Sequence, residues 1–141
     1  MLRIKRISHV AVAVENIDHA SEKWRQVLGL EPEGRELVSS QKVEAVMLPL
    51  GGVNIELIEP KGNEGMQKFL EKRGPGLHHI AIEVEGIDDA INFLKSMHVP
   101  LIDQEPREGA HGCRVAFLHP RATGGVLIEL VEPTEGEAAA E

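Results

Sequence analysis

The strongest constraint on this chain is an internal repeat. The segment Ile7-Ser8-His9-Val10-Ala11-Val12-Ala13-Val14-Glu15-Asn16-Ile17-Asp18 returns, 70 residues on, as Leu77-His78-His79-Ile80-Ala81-Ile82-Glu83-Val84-Glu85-Gly86-Ile87-Asp88. A second echo pairs Val53-Asn54-Ile55-Glu56-Leu57-Ile58-Glu59-Pro60 with Val126-Leu127-Ile128-Glu129-Leu130-Val131-Glu132-Pro133, offset by 73 residues. Each half therefore carries a His near its start and a Glu near its end. With 141 residues in all, the halves are too small to be separate domains, so the chain reads as one domain over residues 1–141 built from two modules, about 5–60 and 77–133.

Each module follows the same order. Ile7 to Val14 alternates with period two, the mark of a strand, with Val10, Val12 and Val14 toward a core and His9, Ala11 and Ala13 on the other face. Asp18 stands where an N-cap belongs, and Ala20, Trp24, Val27 and Leu28 recur at helical spacing up to Gly29. A short strand lies within 31–40, another runs from Val43 to Leu48, and Val53 to Ile58 completes the unit after the Gly51-Gly52 turn. Glu64 to Lys72 reads as a linking helix. The second module repeats the pattern: strand Leu77 to Val84, a helix striped by Ala90, Leu94 and Met97, a glycine-bearing loop from Arg107 to Gly112, and strands Arg114 to Leu118 and Val126 to Val131. The small, acidic tail 134–141 has a disordered composition. The expected fold is α+β, with two βαβββ modules forming one curved mixed sheet and helices outside.

Strand parity places His9, Glu56, His79 and Glu129 opposite the evident core positions. Two imidazoles and two carboxylates suit a borderline divalent cation, and an octahedral ion would keep two positions for substrate oxygens. Co, Mn, Ni, Zn and Mg all tolerate parts of such a shell. A lone His or Glu on a strand would be structural or solvated; recurrence at matching places in a duplicated unit is what lifts the joint reading.

A net charge of −8 without long Lys/Arg runs excludes nucleic acid and anionic membrane as partners, so an anionic substrate needs locally placed cations. Cys113 is alone and cannot form an intramolecular disulfide. No apolar stretch suggests a signal peptide or a membrane span, and a cytoplasmic location is the default expectation.

These features resemble the glyoxalase, or vicinal-oxygen-chelate, superfamily over about residues 5 to 133, and within it the epimerases of methylmalonyl-CoA. The segments that carry the likeness are Gly76-Leu77-His78-His79-Ile80-Ala81, Gly109-Ala110-His111-Gly112, Phe117-Leu118-His119-Pro120 and Gly124-Gly125-Val126-Leu127-Ile128-Glu129-Leu130. The resemblance implies a metal held by His9, Glu56, His79 and Glu129, with an acyl-CoA substrate epimerised at the carbon between two carbonyl groups. It further implies Glu44 as the base, Glu129 as a second proton carrier, His111 as a substrate contact, and a homodimer. Two other chemistries remain open on this scaffold: a lactoylglutathione lyase of the glyoxalase I type, and a metal-free small-molecule binder.

Overall fold

The computed structural model describes residues 2–134; the acidic tail beyond Thr134 lies outside them. Its elements are β1 (Ile4–Ala13), α1 (Ile17–Leu28), β2 (Glu33–Val38), β3 (Val43–Leu50), β4 (Val53–Pro60), α2 (Glu64–Arg73), β5 (Gly76–Val84), α3 (Ile87–Ser96), β6 (Arg107–Glu108), β7 (Arg114–Leu118) and β8 (Ile128–Glu132). The class is α+β with mixed strand pairing, as the repeat requires. The described residues pack as two compact units: 9–78, and 2–8 together with 79–134. β1 thus serves both, contributing its first half to one and its second half to the other.

In residues 9–78 the strand order is β2-β3-β4-β1. β1 runs parallel to β4, with Val12 opposite Leu57 and Ala11 opposite Glu56. β3 and β4 form an antiparallel hairpin closed by Gly51 and Gly52, both at positive φ (58° and 89°), the backbone that a two-residue turn of this hand demands. Asn16, not Asp18, caps α1: its Oδ1 accepts the amide of His19 at 2.9 Å, and Gly29 ends the helix in the left-handed region. Val12, Val14, Ile17, Val46, Leu48 and Leu57 form the core, with Ala20 and Trp24 of α1 packed on it. Val27 and Leu28, expected in the apolar stripe, are exposed in the last turn of the helix.

In the other unit the order is β5-β8-β7-β6, and residues 4–8 of β1 lie beside β5. Lys5 and Arg6 pair with Glu83, a buried carboxylate, at 3.5 and 3.2 Å. Val84, Ile87, Ala90, Ile91, Leu94, Ala116, Leu118 and Leu130 form the core. Met97, expected in the stripe of α3, follows the helix as its C-terminal cap and is exposed.

The repeat also fixes how each helix is anchored, through glutamates that sequence reading passed over. Glu59 Oε1 accepts the amide of Ile17 at 3.0 Å, and Glu132 accepts those of Gly86 and Ile87 at 2.6 and 3.1 Å. In each Glu-x-x-Glu stretch the first carboxylate faces one side of the strand and the second meets the first amides of the preceding helix, where negative charge is favoured. Burial pushes the Glu59 carboxyl up, but its bonds to Lys61 and the Ile17 amide outweigh that and hold it below the usual range. The stabilisation is therefore present above the ordinary carboxylate range and lost as pH falls through the lowered value. Glu59→Gln is expected to cost about 1 kcal/mol at neutral pH by urea unfolding. The gap to the parent protein should narrow as pH falls below the ordinary carboxylate range and close below the lowered value; a gap independent of pH would rule the cap out.

Candidate functional site

In residues 9–78, the face of β1 and β4 away from α1 carries His9, Ala11, Ala13 and Glu56. The parallel register puts Ala11 beside Glu56, and His9 Nε2 lies 3.6 Å from Glu56 Oε1. Both side chains are buried, at 7% and 6% exposure, while Ala11 and Ala13 leave no bulk between them and the rest of that face. The second unit repeats this at the level of atoms. Ala81 lies beside Glu129 in the parallel register of β5 and β8, and His79 Nε2 lies 3.4 Å from Glu129 Oε1, with 6% and 4% exposure. Phe117, opposite Glu129 on β7, meets the His79 ring edge-on at 5.0 Å.

The 3.4 Å of His79 and Glu129 suits two ligands of one metal better than a hydrogen bond, whereas the 3.6 Å of His9 and Glu56 is longer than either geometry. A nitrogen–oxygen hydrogen bond spans about 2.7–3.2 Å. Two donors each about 2.1 Å from one ion, at octahedral to tetrahedral angles, stand about 3.0–3.4 Å apart. Buried carboxylates beside imidazole nitrogens are also costly unless a cation compensates them. Among the described residues, His9, His79 and Glu129 are buried donors that could hold a metal ion, and Glu56, 3.6 Å from His9, is not among them.

Glu44, expected as a base, takes part in a network of ion pairs. The β3–β4 register pairs Met47 with Glu56 and Glu44 with Glu59, so Glu44 shares the α1 face with Val46 and Leu48. Its Oε2 accepts Arg35 Nε at 2.6 Å, Arg35 Nη1 reaches Asp18 at 2.6 Å in the first turn of α1, and Lys61 lies 3.7 Å from Glu44 Oε1. Arg35 holds the Asp18 carboxyl below its ordinary range. The second unit has the same tie in shorter form: Arg114, 70 residues after Glu44, bonds Asp88 in the first turn of α3 at 2.7 and 3.0 Å. The position is one from which each module fastens a strand to its helix. By strand parity the Glu44 carboxylate leaves β3 on the face opposite that of His9 and Glu56.

His111 sits half-buried in the turn between β6 and β7, which Gly109 and Cys113 close with a 2.8 Å backbone bond. Its φ of 57° is unusual for a residue other than glycine and stores strain in that loop. His119 Nδ1 accepts the amide of Arg121 at 3.1 Å, and His78 packs edge-on against Phe69; both are structural. No helix among the described residues is long and apolar enough to cross a membrane.

Residues 8–117 match the model of the Glyoxalase/Bleomycin resistance protein/Dioxygenase superfamily. An ethylmalonyl-CoA/methylmalonyl-CoA epimerase from Cereibacter sphaeroides is 38% identical, covering 90% of this chain and 97% of its own. The crystal structure of methylmalonyl-CoA epimerase from Mycobacterium tuberculosis aligns with a TM-score of 0.89 at 35% identity, over 96% of this chain and 93% of that one. A methylmalonyl-CoA epimerase in complex with methylmalonyl-CoA and NH4+ aligns with a TM-score of 0.89 at 33% identity, over 95% and 98%.

Proposed function

The chain belongs to the Glyoxalase/Bleomycin resistance protein/Dioxygenase superfamily, and from that premise we propose that it is an epimerase of methylmalonyl-CoA, inverting C2 by proton removal and return. The observation that carries the reading is the repeated buried His–Glu pair, His9 with Glu56 and His79 with Glu129. We assign all four side chains to one divalent cation. When bound, that ion would supply positive charge at the carbonyl oxygens flanking C2, lowering the cost of the enolate.

The protein's own part is to move a proton on two sides of a planar carbon. Epimerisation breaks the C2–H bond, leaves the electron pair delocalised into the carbonyl groups, and re-forms C2–H from the other side. That calls for two proton carriers in equivalent but opposed positions, which a duplicated module supplies. We assign them to Glu129 and Glu56, related by the repeat, and not to Glu44. Burial between imidazole and small side chains keeps both carboxylates out of bulk water, so protons reach C2 through them and exchange with solvent between turnovers. His111, on its strained turn, is assigned to contact with the acyl-CoA, and a cytoplasmic homodimer completes the proposal.

The test is direct. In deuterated water the purified protein should incorporate deuterium at C2 of methylmalonyl-CoA while equilibrating the two epimers. Absence of exchange, with turnover of a glutathione hemithioacetal, would assign the site to lactoylglutathione chemistry instead.

A further inference from the structure

Arg107, Arg114 and Arg121 supply cationic side chains to the second unit, and their placement separates them. Arg114 is committed to Asp88 on the α3 side, and Arg121 lies in the turn that His119 caps, exposed. Arg107 is different. The β6–β7 register sets it opposite Val115, two residues from Phe117 on the same face of β7, and Phe117 is opposite Glu129. Its guanidinium carbon lies 5.8 Å from the centre of the Phe117 ring, and that ring meets His79 at 5.0 Å. One aromatic ring therefore separates the guanidinium from the His79 imidazole.

Asp103 fixes this arrangement. Its Oδ2 accepts the amide of Phe117 at 2.8 Å, while Oδ1 lies 3.3 Å from Arg107 Nε. Held by Asp103 at Nε and by the Phe117 ring at its face, the guanidinium is pre-oriented, and at 37% exposure it is open to a ligand. The repeat breaks at this point. Val115 corresponds to Ala45, whose partner across β2 is Glu36, so the first unit has a carboxylate where the second has Arg107. Proton carriers must be matched on the two sides of C2, but the substrate's own charges are not; a cation in one unit alone fits an anion held on one side.

Resting on the epimerase reading above, we propose that Arg107 binds an oxyanion at the acyl end of the substrate, the carboxylate of a 2-substituted malonyl thioester, and so selects dicarboxylic acyl groups over neutral ones. Its proximity to His79 favours the acyl end over the phosphates of coenzyme A, which the pantetheine arm carries far from the thioester.

Steady-state kinetics of Arg107→Gln and Arg107→Lys, with methylmalonyl-CoA and with methylmalonyl-pantetheine, which lacks the phosphates, test this. Arg107→Gln should raise KM about tenfold to a hundredfold for both substrates, with kcat changed far less, and Arg107→Lys should recover only part of the loss, since it keeps the charge but not the seat on Asp103 and Phe117. An unchanged KM, or a rise confined to the full coenzyme A thioester, overturns the assignment. Failure of the parent protein to exchange the C2 proton would instead overturn the epimerase reading, so the two failures are distinguishable. Unaltered thermal unfolding of both variants is the control for folding.

Discussion

Glu129→Gln is expected to lower C2 proton exchange by roughly 10²–10⁴-fold, the range for losing a positioned general acid–base group. The side chain keeps its volume, and Gln can still offer a carbonyl oxygen to a metal, so the loss reports proton transfer more than collapse of the site. Glu44→Gln is the contrasting variant. Its carboxylate fastens β3 to α1 through Arg35 and Asp18, so the variant should exchange within about threefold of the parent protein. Its cost should appear in stability, and it should be small, because partly exposed ion pairs contribute about 1 kcal/mol or less. Deuterium incorporation measured by NMR, alongside urea unfolding, separates these outcomes. A Glu129→Gln protein that keeps a tenth of the activity would remove Glu129 as a proton carrier, and an inactive but stable Glu44→Gln protein would return that role to Glu44.

The contrast between these two glutamates is one of placement, and placement was only partly legible in the sequence. His9, Glu56, His79 and Glu129 were legible because the chain states them twice, and period-two parity on β1 and β5 put each His opposite the core valines and isoleucines. The parity of Glu44, shared with Val46 and Leu48, follows from the sequence alone, and the β3–β4 register adds that this is the face on which α1 packs. The helix anchors Glu59 and Glu132 were not legible, since each reaches an amide more than 40 residues away in sequence. Their signal was the second Glu of the repeated Glu-x-x-Glu, which had no explanation until the helices were in place. The N-cap was read as Asp18 because both Asn16 and Asp18 are capping types two residues apart, and composition cannot choose between them. Arg107 depends on β6, whose two residues are too few to carry any periodicity.

Removing the metal should produce the other large effect, because the proposed shell brings two buried carboxylates to one place. Neutral imidazoles cancel none of that charge; a divalent cation cancels it fully. Exhaustive dialysis against a chelator is therefore expected to abolish exchange and to lower the melting temperature. Added divalent ion should restore both, with a stabilisation of about 2.7 kcal/mol at a hundredfold excess over the dissociation constant. His79→Ala and His9→Ala should each weaken metal binding by at least roughly 100-fold, more than the loss of a residue that merely orients a ligand. The two variants should fall together, since the repeat gives them equivalent places. Metal content by mass spectrometry after gel filtration reads this without reference to activity. If His9→Ala retains a full equivalent of metal while His79→Ala loses it, the ion belongs to the His79–Glu129 pair alone. The His9–Glu56 pair would then be a buried structural contact, and Glu56 would have no claim to the second proton.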